Sequence, residues 1–176
     1  YRPFALSCRW GATPLTDRHI VEWLKNADVW IRPKNVFPEV VDALRKSLAF
    51  FDKGLGVHWY HWHHHEYDTM YPEYFPPKPG FEALVAEVQQ AGAHVTPYIN
   101  GRLWDPANDS YKSRGGSLAS CRKMDGSLYT ELYPTSRVIN TVTCPGSDLW
   151  QQVLKETTAT LVEQVGTHGV YIDQVG

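Results

Sequence analysis

The sequence predicts a parallel α/β barrel, and in these 176 residues its first half, about four β/α units. Three observations point there. Strand-forming runs alternate with amphipathic helical segments from about residue 28, which implies a parallel sheet with right-handed crossovers. Two long aromatic-rich stretches both follow strands, while the turns after helices are tight, so one rim carries the elaboration, as barrel enzymes arrange it. No Gly-x-Gly-x-x-Gly follows any strand, which removes the dinucleotide-binding version of the competing open sheet.

Residues 1–27 read as a lead-in segment with a short helix from Asp17 to Lys25, and residues 28–176 as the N-terminal half of a (β/α)8-type catalytic barrel. Asp28-Val-Trp-Ile-Arg is a short apolar strand stopped by Pro33. Phe37-Pro38 opens a helix, with Pro38 in the first turn where its missing N–H costs little. Val40, Val41, Leu44, Leu48 and Phe51 recur at helical spacing, and Gly54 closes that helix. Leu55 to Tyr60 is the second strand. His61 to Gly80 is too rich in His, Tyr and Pro for regular structure and reads as a long loop. Phe81 to Ala91 is a helix with Leu84, Val85 and Val88 on one face and Gly92 at its end. His94 to Ile99 is the third strand, with Pro97 its weak point because proline cannot donate to a ladder. Residues 101–146 read as a second long loop holding a small hairpin near Gly126. Ser147 suits the N-cap of a helix to about Val165, striped by Trp150, Val153, Leu154 and Leu161. Val170 to Ile172 is the fourth strand, Asp173 stands at its end, and a turn-permitting Gly176 follows.

A complete barrel takes about 250 residues, and half of one leaves raw strand edges. The chain is therefore expected to continue beyond Gly176, with the remaining barrel half and accessory β domains in the same protein. It begins Tyr1-Arg-Pro-Phe, neither an initiator methionine nor a signal peptide, which leaves the compartment open, a secreted or periplasmic one included. A composition of 43% hydrophobic and 20% charged residues is that of a globular domain, with no apolar run long enough to span a bilayer. A net charge of -2 without a basic stripe argues against nucleic acid as a partner. Cys8, Cys121 and Cys144 fit neither a disulfide framework nor a zinc spacing, although Cys121 and Cys144 could pair. No cofactor is called for.

Three constellations could carry chemistry. The first runs from His58 through Trp59, His61 and His63 to Glu66 and Asp68. Consecutive histidines in extended chain point to opposite sides, and no zinc-type spacing follows. Three readings stay open: a metal loop through His61, His63 or His65, a locally packed polar loop, and a sugar-binding rim. In the last, the Trp59 indole stacks on a sugar face while His61 and His63 bond hydroxyls. The second is Tyr98-Ile-Asn-Gly-Arg-Leu-Trp-Asp. There Asn100 and Arg102 suit vicinal hydroxyls or a carboxylate, Gly101 allows a bend, and Trp104 offers a stacking plane. Arg102 and Asp105 could instead simply pair and hold the loop. The third is Tyr171, Ile172, Asp173 and Gln174. An aspartate there either caps a strand end or serves as a glycosidase nucleophile, paired with a second acid about 5 Å away. Asp68 and Asp105 are the local candidates for that acid, which is expected on a later strand. No Gly-x-Ser-x-Gly elbow, thiol-protease context or phosphate-binding Gly-rich loop occurs.

Five stretches carry a resemblance: His58-Trp-Tyr-His-Trp-His, Tyr71-Pro-Glu-Tyr-Phe-Pro-Pro-Lys-Pro-Gly-Phe, Pro97-Tyr-Ile-Asn-Gly-Arg-Leu-Trp-Asp, Cys144-Pro and Gly169-Val-Tyr-Ile-Asp-Gln. Together they resemble a bacterial family of uncharacterised glycoside hydrolases with a TIM-barrel catalytic domain. More distantly the chain is similar to the α-galactosidase and α-glucosidase clan. There the nucleophilic aspartate ends strand four and the general acid comes from a later strand. The resemblance implies a carbohydrate substrate and Asp173 as nucleophile. Trp59, His61, His63, Asp68, Asn100, Arg102, Trp104, Asp105, Tyr171 and Gln174 are expected at the substrate, and the acid has no counterpart among these residues. The alternatives are a carbohydrate-binding barrel without catalysis and a metal-dependent hydrolase built on the histidine loop.

Overall fold

The computed structural model describes residues 20–51 and 54–175. The expected start of the lead-in helix at Asp17, Cys8, the Lys53 turn and the Gly176 turn lie outside the described residues.

A single helical turn, α1 (Glu22–Lys25), leads into β1 (Ala27–Ile31), α2 (Glu39–Phe51), β2 (Gly54–Trp59), α3 (Phe81–Gln90) and β3 (Ala93–Asn100). An insertion follows, made of β4 (Leu103–Trp104), α4 (Asp109–Arg114), α5 (Gly116–Ala119), β5 (Thr130–Tyr133) and β6 (Val138–Val142). Then come α6 (Asp148–Glu163) and β7 (Tyr171–Asp173). The strands β1-β2-β3-β7 form one sheet in chain order, each pair parallel. An order that advances without reversing is that of a barrel; an open doubly wound sheet turns back at a switch point.

The alternation along β2 and β3 decides the layers. Leu55, Val57, Trp59, Val95 and Ile99 are buried on one face beneath Val41 and Leu44 of α2, Val85 and Val88 of α3, and Leu161 of α6. Each such side chain contributes roughly 1.5–3 kcal/mol by burial. The alternate positions His58, Tyr98, Asn100, Tyr171 and Asp173 share the other face, the barrel interior, where a site is built.

The register accounts for Pro97. It is the last β3 residue paired with β2, opposite Trp59, and pairing with β7 begins only at Tyr98 opposite Tyr171. Proline sits where one ladder hands over to the next, so a missing N–H is tolerated. Gly54 differs from expectation: it begins β2, where a Cβ would stand 2.7 Å from the Asn26 carbonyl oxygen. The stretch 101–146 differs more. It holds an antiparallel sheet ordered β4-β6-β5 with two short helices, and the hairpin ladder joins Thr130–Tyr133 to Val138–Val142. Near Gly126 a smaller hairpin forms as expected, with the antiparallel bridge Arg122–Leu128, N–H bonds from Lys123 to the Ser127 carbonyl at 2.8 Å and from Tyr129 to the Cys121 carbonyl at 2.9 Å, and a turn closed by Gly126 N–H on the Lys123 carbonyl.

Candidate active site

Asp173 closes β7 beside Asn100, its register partner at the end of β3. Its carbonyl accepts from the Gly101 N–H at 2.7 Å. One carboxylate oxygen, Oδ1, accepts from the Gln174 N–H at 2.9 Å. Among the described residues Oδ2 has no partner, which leaves an oriented carboxylate with one oxygen available.

The carboxylate overlooks an aromatic floor. The His58 ring lies 3.8 Å from that of Tyr171 and 4.8 Å from that of Tyr60, and Tyr60 stacks on Tyr98 at 4.6 Å. Burial lowers the pKa of His58, Arg32 lowers it further, and the Asp173 charge opposes both. Burial pushes the Tyr98 phenol up to about 12, so it is a neutral donor at ordinary pH.

Gln174 is held in a left-handed conformation, φ 57°. Its Oε1 accepts from Asn100 Nδ2 at 2.9 Å, and the Tyr133 hydroxyl accepts from its Nε2 at 2.8 Å. Arg102 is turned to the insertion, one guanidinium nitrogen reaching both Glu131 oxygens at 2.8 and 3.0 Å. The hairpin β5-β6 is thus tied to the rim twice, through Glu131 and through Tyr133. Neither residue is in the sequence-derived set. Their alternate positions on β5 carry the signal, but only once that strand is recognised.

Several expected contacts are occupied. Trp59 is wholly buried against Phe81 and donates Nε1–H to the Asn35 carbonyl at 2.9 Å. Trp104 is likewise enclosed, between Trp150 and Tyr111. Neither indole offers a face to a sugar, because Trp59 packs under Phe81 of α3 and Trp104 between Tyr111 of α4 and Trp150 of α6. Asn100 is fully buried and saturated. Its Oδ1 accepts from the Arg102 and Leu103 N–H groups at 3.0 Å, so it positions the bend and Gln174 instead of meeting hydroxyls. Arg102 pairs with Glu131, and Asp105 is buried and accepts from the Ala107 N–H at 2.8 Å, so the pair Arg102–Asp105 does not form.

The histidine loop is packed over the floor. Trp62 donates to the Tyr98 carbonyl at 2.7 Å and stacks on Tyr74 and Phe81. His63 is buried with both ring nitrogens unpartnered, and burial lowers its pKa to about 3. His61 remains half-buried on a rim cavity, its Nε2 2.9 Å from the His65 carbonyl. Asp68 is half-buried, burial raises its pKa, and its Oδ1 accepts from the Tyr71 hydroxyl at 2.9 Å. Among the described residues no three His, Cys, Asp or Glu side chains group as metal ligands. Cys121 and Cys144 are free thiols lying against each other.

Four parallel strands in chain order, helices on one face and a strand-end carboxylate over an aromatic interior define half of a β/α barrel. The chain belongs to the family described as Domain of unknown function (DUF6259), whose model matches residues 1–176. A Bacteroides thetaiotaomicron protein named "Putative glycoside hydrolase" is 54% identical over 176 residues, all of this chain and 26% of that protein. The chain therefore spans about a quarter of that relative's length. Among solved structures, an α-N-acetylgalactosaminidase from Bifidobacterium bifidum superposes with a TM-score of 0.66 at 15% identity, covering 85% of this chain and 28% of the other. An α-galactosidase from Thermus thermophilus does so with a TM-score of 0.56 at 10% identity, covering 81% and 31%. These two likenesses bear on the fold, which is that of the barrel in both enzymes.

Proposed function

We propose that the whole protein is a retaining O-glycoside hydrolase of polysaccharides or oligosaccharides, with Asp173 as nucleophile. The observation that carries this reading is the Asp173 carboxylate itself. It ends the fourth parallel strand, with Oδ1 fixed by the Gln174 N–H and Oδ2 without a partner among the described residues. In this reading Oδ2 attacks the anomeric carbon and the glycosidic C–O bond breaks as a carboxylic acid protonates the leaving oxygen. Water then releases the sugar from the covalent intermediate. His61, Asp68 and Tyr171 contact substrate, while Asn100, Gln174 and Tyr133 position the strand end.

The acid comes from outside the described residues. Glu131 is engaged by Arg102 and Asp105 by the Ala107 N–H, so both are taken up in holding the insertion and its loop. Asp68, its pKa raised by burial and its Oδ1 accepting from the Tyr71 hydroxyl, is the local alternative for that acid.

The test is Asp173→Asn in the whole protein, assayed on aryl glycosides and oligosaccharides. A loss of about 10³-fold or more in turnover is expected with the fold intact. A 2-fluoro glycosyl fluoride should label Asp173 in the unaltered protein, read by peptide mass spectrometry. Undiminished hydrolysis by the variant would sink the assignment. Saccharide binding without release of reducing ends by the unaltered protein would favour a non-catalytic binding barrel.

A further inference from the structure

Among the described residues three arginines are held by carboxylates across elements: Arg45 by Glu87 at 2.6 Å, Arg102 by Glu131 at 2.8 Å, Arg114 by Glu156 at 2.8 Å. Arg32 and Lys34, just past β1, stand together at one cavity. Among the described residues neither has a carboxylate partner, and both line a cavity of about 420 Å³ with Asn35, Tyr60, His61 and Tyr67. That volume falls in the usual range for small-molecule sites, about 300–1,000 Å³. Among the described residues no acidic side chain lines it.

The walls are fixed by backbone. Tyr60 N–H donates to the Pro33 carbonyl at 3.3 Å and His61 N–H to the Lys34 carbonyl at 3.2 Å, which zips the two rim segments together. The Arg32 guanidinium lies 4.9 Å over the Tyr60 ring, a cation–π contact that holds it at the wall. A third cation stands behind: Lys78 Nζ donates to Asn35 Oδ1 at 2.6 Å and to the His61 carbonyl at 3.2 Å. Glu66 is the acid that acts on Lys78, and it does not line the cavity. Positive potential thus converges on a preformed cavity with aromatic and amide walls, and a neutral sugar would leave it uncompensated.

We infer that this cavity holds a sugar carrying a negative charge, a carboxylate as in a hexuronic acid or a sulfate ester. The inference rests on the glycosidase reading in that the bound sugar is taken as part of the substrate. The strand order puts the cavity at β1 and β2 and Asp173 at β7, on the same rim. With its anomeric carbon at Asp173, a substrate extends across the barrel mouth toward Arg32 and Lys34.

The test is calorimetric titration of the whole protein carrying Asp173→Asn. The probes are glucuronate, galacturonate, glucose 6-sulfate and galactose 6-sulfate, each against its neutral hexose. At least one charged probe should bind about tenfold or more tighter than its parent, and the double variant Arg32→Gln/Lys34→Gln should bring that ratio down to about one. The charge-preserving Arg32→Lys/Lys34→Arg should keep most of the preference, and melting curves of both variants check the fold. A preference for uronates alone names the carboxylate; one for sulfated probes alone names the ester. Equal or weaker binding of the charged probes, no binding of any, or a ratio unmoved by Arg32→Gln/Lys34→Gln overturns the inference. The two readings fail separately. Charged sugars bound with preference by a protein that cleaves no glycoside would leave the subsite standing and remove the hydrolase. Cleavage abolished by Asp173→Asn without any charge preference would remove only the subsite.

Discussion

His63 shows how a residue chosen for its chemistry is set by its surroundings. In the sequence it is one of a run of histidines suited to a metal or a hydroxyl. In the structure it is closed in among Trp62, Tyr74 and His61, with Lys78 and His65 nearby, and burial leads these charges in lowering its pKa from 6.5 to about 3. The folded pKa lies below the unfolded one, so between about pH 3 and 6.5 the unfolded chain binds the extra proton. Stability from this group is therefore complete above pH 6.5 and falls as the pH drops. From pH 8 to pH 5 the loss is about 2 kcal/mol. An NMR titration of the His63 ring should show no midpoint above about pH 4.5, and His63→Phe should flatten the acid limb of stability against pH. His58, His94 and His168 are lowered in the same direction and leave a residual slope. A His63 midpoint near 6.5 would mean that the loop does not enclose the ring.

At the scale of elements, the β3–β7 junction sets the site. A Cβ on Gly101 would meet Ile172 Cγ2 at 2.8 Å and the Asp173 carbonyl oxygen at 2.9 Å. The second contact is backbone, so Gly101→Ala must push the Asp173 strand end away. We expect a stability loss of about 1–3 kcal/mol and, if Asp173 is the nucleophile as proposed, a larger proportional loss of turnover, about 10²-fold, because its carboxylate moves. Denaturant unfolding and kinetics in the whole protein check both, and unchanged turnover would show that Asp173 does not need this register. A second prediction belongs to the insertion. A double-mutant cycle on Arg102→Met and Glu131→Gln should give about 1–3 kcal/mol of coupling, as a charge-assisted pair three-quarters buried; additive effects would show that the hairpin is held otherwise. These elements were unequally legible in the sequence. The strands β1, β2, β3 and β7 and their helices announce themselves by alternation and helical spacing, because one face is buried against the other. The insertion does not. Its strands alternate around exposed Leu132 and Ile139, its polar face lies inward, and Asn140 and Thr141 are buried where apolar residues would have marked a strand. Trp59 and Trp104 mislead for the opposite reason: an indole beside polar residues looks like a rim plane, while strand parity sends it under the helices.

The molecule as a whole is a sheet with one covered face and two strands that have a neighbour on one side only. Among the described residues β1 pairs only with β2, and β7 only with β3. Trp30 is 45% exposed and Tyr171 41% exposed, both on the interior face that a closed barrel would cover. Unpaired strand edges next to exposed aromatics are a template for association. The rim cavity and the Asp173 carboxylate share this open face, so whatever covers it also borders the proposed site. Produced alone, residues 1–176 should self-associate with rising concentration and bind a hydrophobic dye. The whole protein should do neither at the same molar concentration, as read by light scattering and dye fluorescence. A monodisperse segment that melts cooperatively and binds no dye would show that the sheet satisfies its own edges.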